Sequence, residues 1–236
     1  MFANASQTSA NTTDISAPIA SVVSMSWTWR DTTLPLMQSA YSKLAKMVET
    51  EPRFLDKYYA SNSNLNLSEA GKSVAITDAF NATLAPAYRD VQSAGWSMAK
   101  MIASLEVNSL PRVDPADLAG AITRSDIRRI FLGMDTMTRT VAIKSNPSPQ
   151  LAAALMEVPA ELLGLSADDV ASLKTAFAAE SFPDNAAAID ELSDGLEVVK
   201  TALRMTVVLA CDKFRMNPVQ VDVLIWGGPL PEEKQL

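Results

Sequence analysis

Apolar residues recur at spacings of three and four along most of the chain, which predicts amphipathic α-helices. The first stripe covers residues 36–48, and its helix should end before Pro52, because a proline disfavours the helical conformation of the preceding residue. A short helix is predicted over 52–59, and the last and longest over 185–214, with Pro218 ending it. The expected fold class is therefore mainly α, with a multi-helix, bundle-like body.

Two short segments alternate between apolar and polar residues with a period of two, which predicts one short β-strand near each terminus. A single strand leaves its backbone donors and acceptors unpaired, so each segment needs a partner. The two segments match in length and alternation, and we expect them to pair, preferably between neighbouring subunits by β-augmentation. The predicted self-association residues are Val23, Met25, Trp27, Trp29, Val219, Val221, Val223, Ile225 and Trp226.

Proline, serine and asparagine concentrate at residues 145–150, "SNPSPQ", which is the clearest break in the chain. A second local signal is Ser166 with Asp169 three residues later, the pattern of a helix-capping box. The expected organisation has four parts: an N-terminal arm with a strand at 1–30, a helical subdomain at 31–144, a second helical subdomain with the long C-terminal helix at 150–216, and a C-terminal strand and tail at 217–236.

The composition limits the kinds of catalytic and metal-binding site that the chain can form. Histidine is absent, which removes the commonest general base and the commonest neutral metal ligand. The single cysteine, Cys211, excludes an internal disulfide and any cysteine-rich metal site, and its apolar surroundings predict a small buried side chain. We therefore expect no catalytic set, no metal site and no cofactor, and we expect that the protein is not an enzyme.

The first eighteen residues lack the basic and apolar regions of a Sec-type signal peptide, and no apolar stretch is long enough for a transmembrane helix. The expected location is accordingly the cytoplasm or a virion, without a membrane partner.

Charge is distributed unevenly. The formal net charge is −7, yet residues 30–144 carry 14 basic against 12 acidic residues, whereas residues 145–236 carry 6 against 14. An acidic protein is a poor general ligand for nucleic acid, because phosphate contacts dominate that affinity. The locally basic segment 124–144 still leaves nucleic-acid contact as an alternative, and its candidate residues are Arg124, Arg128 and Arg129.

Carboxylates are concentrated in "DELSD", where Asp190 and Asp194 lie one helical turn apart. Such a pair can hold Mg²⁺ through water, although an acidic first turn that complements the helix dipole is the favoured explanation. A Mg²⁺-dependent enzyme, or a helical protein that binds a small ligand, is therefore a second function class.

The first hypothesis is a structural or assembly protein that self-associates through its terminal arms, as a virion or phage-assembly component does. Opposite ends of different character favour head-to-tail contacts, which produce a ring or a filament. The alternatives are the small-ligand-binding protein or Mg²⁺-dependent enzyme, and a nucleic-acid-packaging protein that uses the basic helix at 124–144.

Overall fold

The computed structural model describes residues 19–20, 23, 33–114, 116–145 and 147–228. This part of the chain is mainly helical, which confirms the predicted fold class at that level. In chain order the helices are α1 (Pro35–Ser63), α2 (Glu69–Ala82), α3 (Leu84–Asn108), α4 (Leu118–Gly133), α5 (Thr136–Lys144), α6 (Pro149–Met156), α7 (Ala160–Leu163), α8 (Ala167–Ser181), α9 (Pro183–Phe214) and α10 (Pro218–Trp226).

The first helix continues through Pro52, so the prediction that it ends before this residue is wrong. A proline in a helix interior removes one hydrogen bond and costs roughly 3 kcal/mol. Here the buried side of α1 extends across the proline, with Met47, Glu51 and Phe54 all 0 % exposed. Burial on both sides of Pro52 therefore keeps the helix continuous.

The predicted C-terminal strand is also wrong, because Pro218–Trp226 forms helix α10. Apolar residues two positions apart share one face of a strand, but on a helix the same set divides into pairs four positions apart. Val219 and Val223 then share one side, and Val221 and Ile225 share another. The period-two pattern was therefore compatible with a helix whose apolar residues lie on two sides.

Of the predicted N-terminal strand, only Val23 is among the described residues, and it is helical, as are Ile19 and Ala20. Met25, Trp27 and Trp29 lie outside the described residues. The proposed pairing of two terminal strands thus has no support in the part of the chain that the structure describes, since α10 supplies no strand to pair with.

The chain divides into two compact units, and the division falls inside α1, α3 and α9. We call residues 39–93 and 198–228, together with Ile19, Ala20 and Val23, the first unit. At its centre the rings of Phe54, Phe80 and Phe214 pack together, with centroid separations of 5.2 to 6.2 Å. Helices α1, α2 and α9 are thereby joined by one aromatic cluster.

The second unit consists of residues 33–38 and 94–197. Its apolar cluster centres on α6 and is formed by Phe131, Ile143, Ala152, Leu155, Leu163, Leu173 and Phe177. The capping box predicted at Ser166 and Asp169 is confirmed at the start of α8. Gly195 lies against Met37 and Met98, where an added Cβ would come within 2.5 Å of the Met37 sulfur, so a small residue lets these helices approach closely.

No helix among the described residues is long and apolar enough to cross a membrane. The predicted subdomain boundaries at 30, 144–150 and 217 stay predictions.

Candidate functional site

Helix α10 is a short element with a defined beginning and end. The Asn217 side chain accepts a hydrogen bond from the Gln220 backbone N–H, and the Gln220 side chain accepts one from the Asn217 N–H, each at 2.9 Å. Pro218 occupies the first turn, where a missing N–H costs nothing. Gly227 ends the helix in the left-handed conformation, at φ 73°, which suits glycine. Both ends of α10 are therefore fixed by local sequence.

One side of α10 anchors it in the first unit. Val221 and Ile225 are 0 % and 1 % exposed. Arg89 of α3 donates a hydrogen bond from Nη1 to the Ile225 carbonyl oxygen at 2.7 Å. A cation at the C-terminal carbonyls of a helix is stabilising, because these groups carry partial negative charge. The helix is thus attached through both its apolar side and its last turn.

The opposite side of α10 is apolar and exposed. Val219 and Val223, four positions apart, are 66 % and 44 % exposed. Trp226 follows Val223 by three positions, so it lies on the same side of the helix, and it is half-buried. We call Val219, Val223 and Trp226 the outer face of α10. This face carries no charged residue.

Asp222 is half-buried and lies between the two apolar sides of α10, where its charge influences Tyr88 and Cys211. Burial raises the pKa of Asp222 above its usual value. Burial, with a smaller effect of the Asp222 charge, raises the pKa of Tyr88 to about 12. The same two causes raise the pKa of the Cys211 thiol, which disfavours the nucleophilic thiolate.

The structure divides the predicted self-association residues into two sets. Val219, Val223 and Trp226 lie on the outer face, whereas Val221 and Ile225 belong to the core of the first unit. Val23 is half-buried, and the other three predicted residues, Met25, Trp27 and Trp29, are not among those described. Because α10 is a helix, two of its five predicted self-association residues are buried in the core and three lie on the outer face.

The candidate nucleic-acid residues make ion pairs within the second unit. Arg128 Nη1 donates a hydrogen bond to Glu157 Oε2, and Arg124 Nε donates to the same oxygen at 3.2 Å. Arg124 also contacts Asp117 at 3.4 Å, and the side chains of Arg124 and Arg128 are only 16 % and 19 % exposed. Arg129 is exposed and pairs with Asp126 at 3.1 Å. All three guanidinium groups therefore have acidic partners.

The candidate metal residues Asp190 and Asp194 are exposed and lie one turn apart on α9. Across residues 33–228, with positions 115 and 146 left out, no group of three or more metal-ligating side chains is close enough together to hold a metal ion. Asp190 and Asp194 therefore have no third protein ligand beside them among the described residues.

A feature that sequence analysis missed is Glu51 in the buried stripe of α1. The side chain is 0 % exposed, and neither carboxylate oxygen makes a hydrogen bond. Burial raises the pKa of Glu51 to about 7, against a weaker opposing effect of the Ile19 backbone N–H, which faces the carboxyl group outside hydrogen-bonding geometry. The signal was present in the three-four spacing of Met47, Glu51 and Phe54, but only if α1 is followed through Pro52.

An open cavity of about 220 Å³ lies in the second unit. Its floor includes Leu155 and Leu173, which are 1 % and 0 % exposed, and Lys174 is the charged residue of its lining. Apolar clefts with a single placed charge are typical of small-molecule sites. The full lining is Leu110, Pro111, Leu155, Met156, Val158, Ala160, Leu165, Val170, Leu173 and Lys174.

Comparisons with protein-family models, with curated proteins and with solved structures found no match. The class that the structure defines, over the residues it describes, is a mainly helical protein.

Proposed function

We propose that this chain is a structural or assembly protein whose copies associate through the outer face of α10. The observation that carries this proposal is that α10 is apolar on two sides, one buried and one exposed. A helix that is apolar on more than one side belongs in an environment that covers all of those sides. Among the described residues of the first unit, Val221 and Ile225 are covered, whereas Val219 and Val223 of the outer face are exposed and remain available to a partner.

The partner that we propose is a second copy of the chain. The outer face carries no charge of its own, but residues 145–236, which include α10, hold 6 basic and 14 acidic residues, against 14 and 12 in residues 30–144. This difference favours contact between the acidic part of one copy and the more basic part of the next. Such a head-to-tail contact repeats, and it generates a ring or a filament of the kind found in virion and phage-assembly proteins.

The test is the mass of the particle in solution, measured by light scattering with the double variant Val219→Asp/Val223→Asp. The matched control is Val208→Asp on α9, because Val208 is 62 % exposed in the same unit but lies outside the outer face. We expect the unchanged chain and the control to form oligomers, and the double variant to have the mass of one chain, 25.4 kDa. A monomeric unchanged chain, or a double variant that keeps the oligomeric mass, would contradict the proposal.

A second function, binding of a small amphipathic acid, is supported by the cavity in the second unit. Apolar walls suit a hydrocarbon chain, and Lys174 suits a carboxylate at its end. The probes are decanoate and decanol, which share the chain and differ in the head group. Calorimetry should detect decanoate binding that weakens in Lys174→Met, whereas equal binding of both probes, or of neither, would reject this function.

A further inference from the structure

A second exposed apolar surface lies on α5, in the second unit. Met137 and Val141, four positions apart, are 79 % and 51 % exposed, and no large apolar side chain of another described helix is as exposed as Met137. Lys144 follows Val141 by three positions, so it lies on the same side of the helix, and it is also exposed. We call Met137, Val141 and Lys144 the outer face of α5. Ile143, on another side of this helix, is 3 % exposed and anchors α5 in the second unit.

The outer face of α10 has the same spacing of side chains. Val219, Val223 and Trp226 also follow one another at intervals of four and three, so each helix presents a row of three side chains along its surface. Two such rows can pack side by side when one helix runs antiparallel to the other. In that orientation Trp226 faces Met137, and a methionine sulfur packs favourably against an aromatic ring. The two rows therefore match in length and in the side chains that would meet.

The charges of the two helices are also complementary. Within its bounds α5 contains two basic residues and no acidic residue, whereas α10 contains one acidic residue, Asp222, and no basic residue. Asp222 follows Val219 by three positions and precedes Trp226 by four, so it borders the outer face of α10. Burial alone raises the pKa of Asp222, because among the described residues no cation offsets the solvation that this carboxylate loses. A basic residue on a partner would supply the missing positive charge.

We propose that the outer face of α10 in one copy docks on the outer face of α5 in the next copy, with Lys144 of one chain paired with Asp222 of the other. This inference rests on the proposed self-association and names the surface that receives α10. Pairing of α10 with a second α10 is disfavoured, because it would bring the Asp222 carboxylates of both copies to one contact. Because the two docking faces differ, each copy can bind one neighbour through α10 and another through α5, which is the condition for head-to-tail assembly.

The first test mixes two variants, each with one face changed, and measures the particle mass by light scattering. Val219→Asp/Val223→Asp removes the apolar face of α10, and Met137→Asp/Val141→Asp removes that of α5. We expect each variant alone to have the mass of one chain, 25.4 kDa. Their equimolar mixture should form complexes of two chains and no larger particle, because each variant keeps one intact face, and the two intact faces are complementary.

The matched control is Leu118→Asp/Ile122→Asp on α4 of the same unit, since these residues are also four positions apart and are 74 % and 66 % exposed. It should keep the oligomeric mass of the unchanged chain. A Met137→Asp/Val141→Asp variant that keeps this mass would overturn the inference and leave the proposed function intact, whereas a monomeric unchanged chain would contradict both. A mixture that stays at the mass of one chain, or a control that loses the oligomer, would also overturn the inference.

A second measurement reverses single charges and leaves the apolar side chains in place, so it serves even if the aspartate variants of α5 do not fold. Lys144→Glu should raise the dissociation constant, measured by analytical ultracentrifugation, about tenfold, because like charges then meet across the contact. Lys144→Glu/Asp222→Lys exchanges the two charges and should restore the original value. Arg129→Glu, at an exposed position of α4, is the control and should change it little. No effect of Lys144→Glu, or no restoration in the double variant, would overturn the inference.

Discussion

Two glutamates, one in each unit, occupy opposite electrostatic environments. Glu51 in the first unit is fully buried without a hydrogen bond, and burial raises its pKa to about 7. Glu157 in the second unit is part-exposed and receives hydrogen bonds from Arg128 and Arg124, and these hold its pKa below the usual value in spite of burial. The same side chain therefore opposes folding at neutral pH in one unit and supports it in the other.

The two carboxylates differ both in depth and in partners: burial is the main influence on the pKa of Glu51, whereas hydrogen bonds from two guanidinium groups outweigh burial at Glu157. Arg128 also donates from Nη1 to the Ala154 carbonyl oxygen at 3.0 Å, so the guanidinium that pairs with Glu157 is itself held by α6. The Glu51 carboxyl group has no such partner, since neither of its oxygens makes a hydrogen bond. Three substitutions test this difference between carboxylates. The expected change in the free energy of unfolding decreases from Glu51→Met through Glu157→Gln to Asp90→Asn.

The largest change in stability is expected from Glu51→Met, which replaces the acid by an apolar side chain of similar length. Between pH 4.5 and about 7 the folded chain holds a proton that the unfolded chain has released, so stability falls as the pH rises through this range. Above that range the loss is complete and amounts to roughly 3 kcal/mol. Urea unfolding at several pH values should show Glu51→Met gaining on the unchanged chain by this amount from pH 4.5 to pH 9.

The control for this measurement is Glu49→Met, at an exposed position of the same helix. Its stability relative to the unchanged chain should vary little with pH. If the advantage of Glu51→Met stayed constant across the range, Glu51 would not be the group whose ionisation opposes folding.

An intermediate loss of stability is expected from Glu157→Gln. The change removes the negative charge between two guanidinium groups whose side chains are 16 % and 19 % exposed, and it should cost about 1–2 kcal/mol at pH 7. Because the pKa of Glu157 is lowered, its contribution is present above pH 4.5 and is lost as the pH falls through the folded value. The pH dependence is therefore opposite in direction to that of Glu51.

Unfolding curves at pH 7 and pH 3 measure this difference. The gap between Glu157→Gln and the unchanged chain should narrow at pH 3, and Glu161→Gln, at a nearby exposed position, should show no comparable gap. A gap that widened on acidification would mean that the two ion pairs do not stabilise the second unit.

The mainly helical class could be predicted from apolar spacing, but α10 could not be predicted from spacing alone. Ser166 and Asp169 precede a helical stripe, so their capping box was recognisable, and the structure contains it. Asn217 and Gln220 form the same motif with Pro218 between them, but an alternating apolar run follows and favours a strand. The cap and Gly227 specify a helix, and tertiary burial of one side completes it.

The sequence pattern predicted only part of the candidate site, because the pattern did not reveal the helical conformation of α10. Val219 and Val223 could be named from their apolar character, but their separation from Val221 and Ile225 depends on the helical period. Glu51 was missed because Pro52 marks a helix end in most sequences, whereas here burial on both sides of the proline keeps α1 continuous. Packing between residues that are distant in the sequence leaves little trace in the local sequence pattern.

The smallest effect on stability is expected from Asp90→Asn in the first unit. This substitution tests whether an ion-paired carboxylate that is exposed to water contributes less to stability than Glu157 does. Asp90 pairs with Lys46 at 3.6 Å, and their side chains are 51 % and 68 % exposed. Water screens such a pair, so the substitution should change stability by at most about 0.5 kcal/mol and by less at high salt. Asp78→Asn, at another exposed position, is the control. A loss from Asp90→Asn as large as that from Glu157→Gln would show that exposure does not separate these carboxylates, and that the contrast between Glu51 and Glu157 needs another cause.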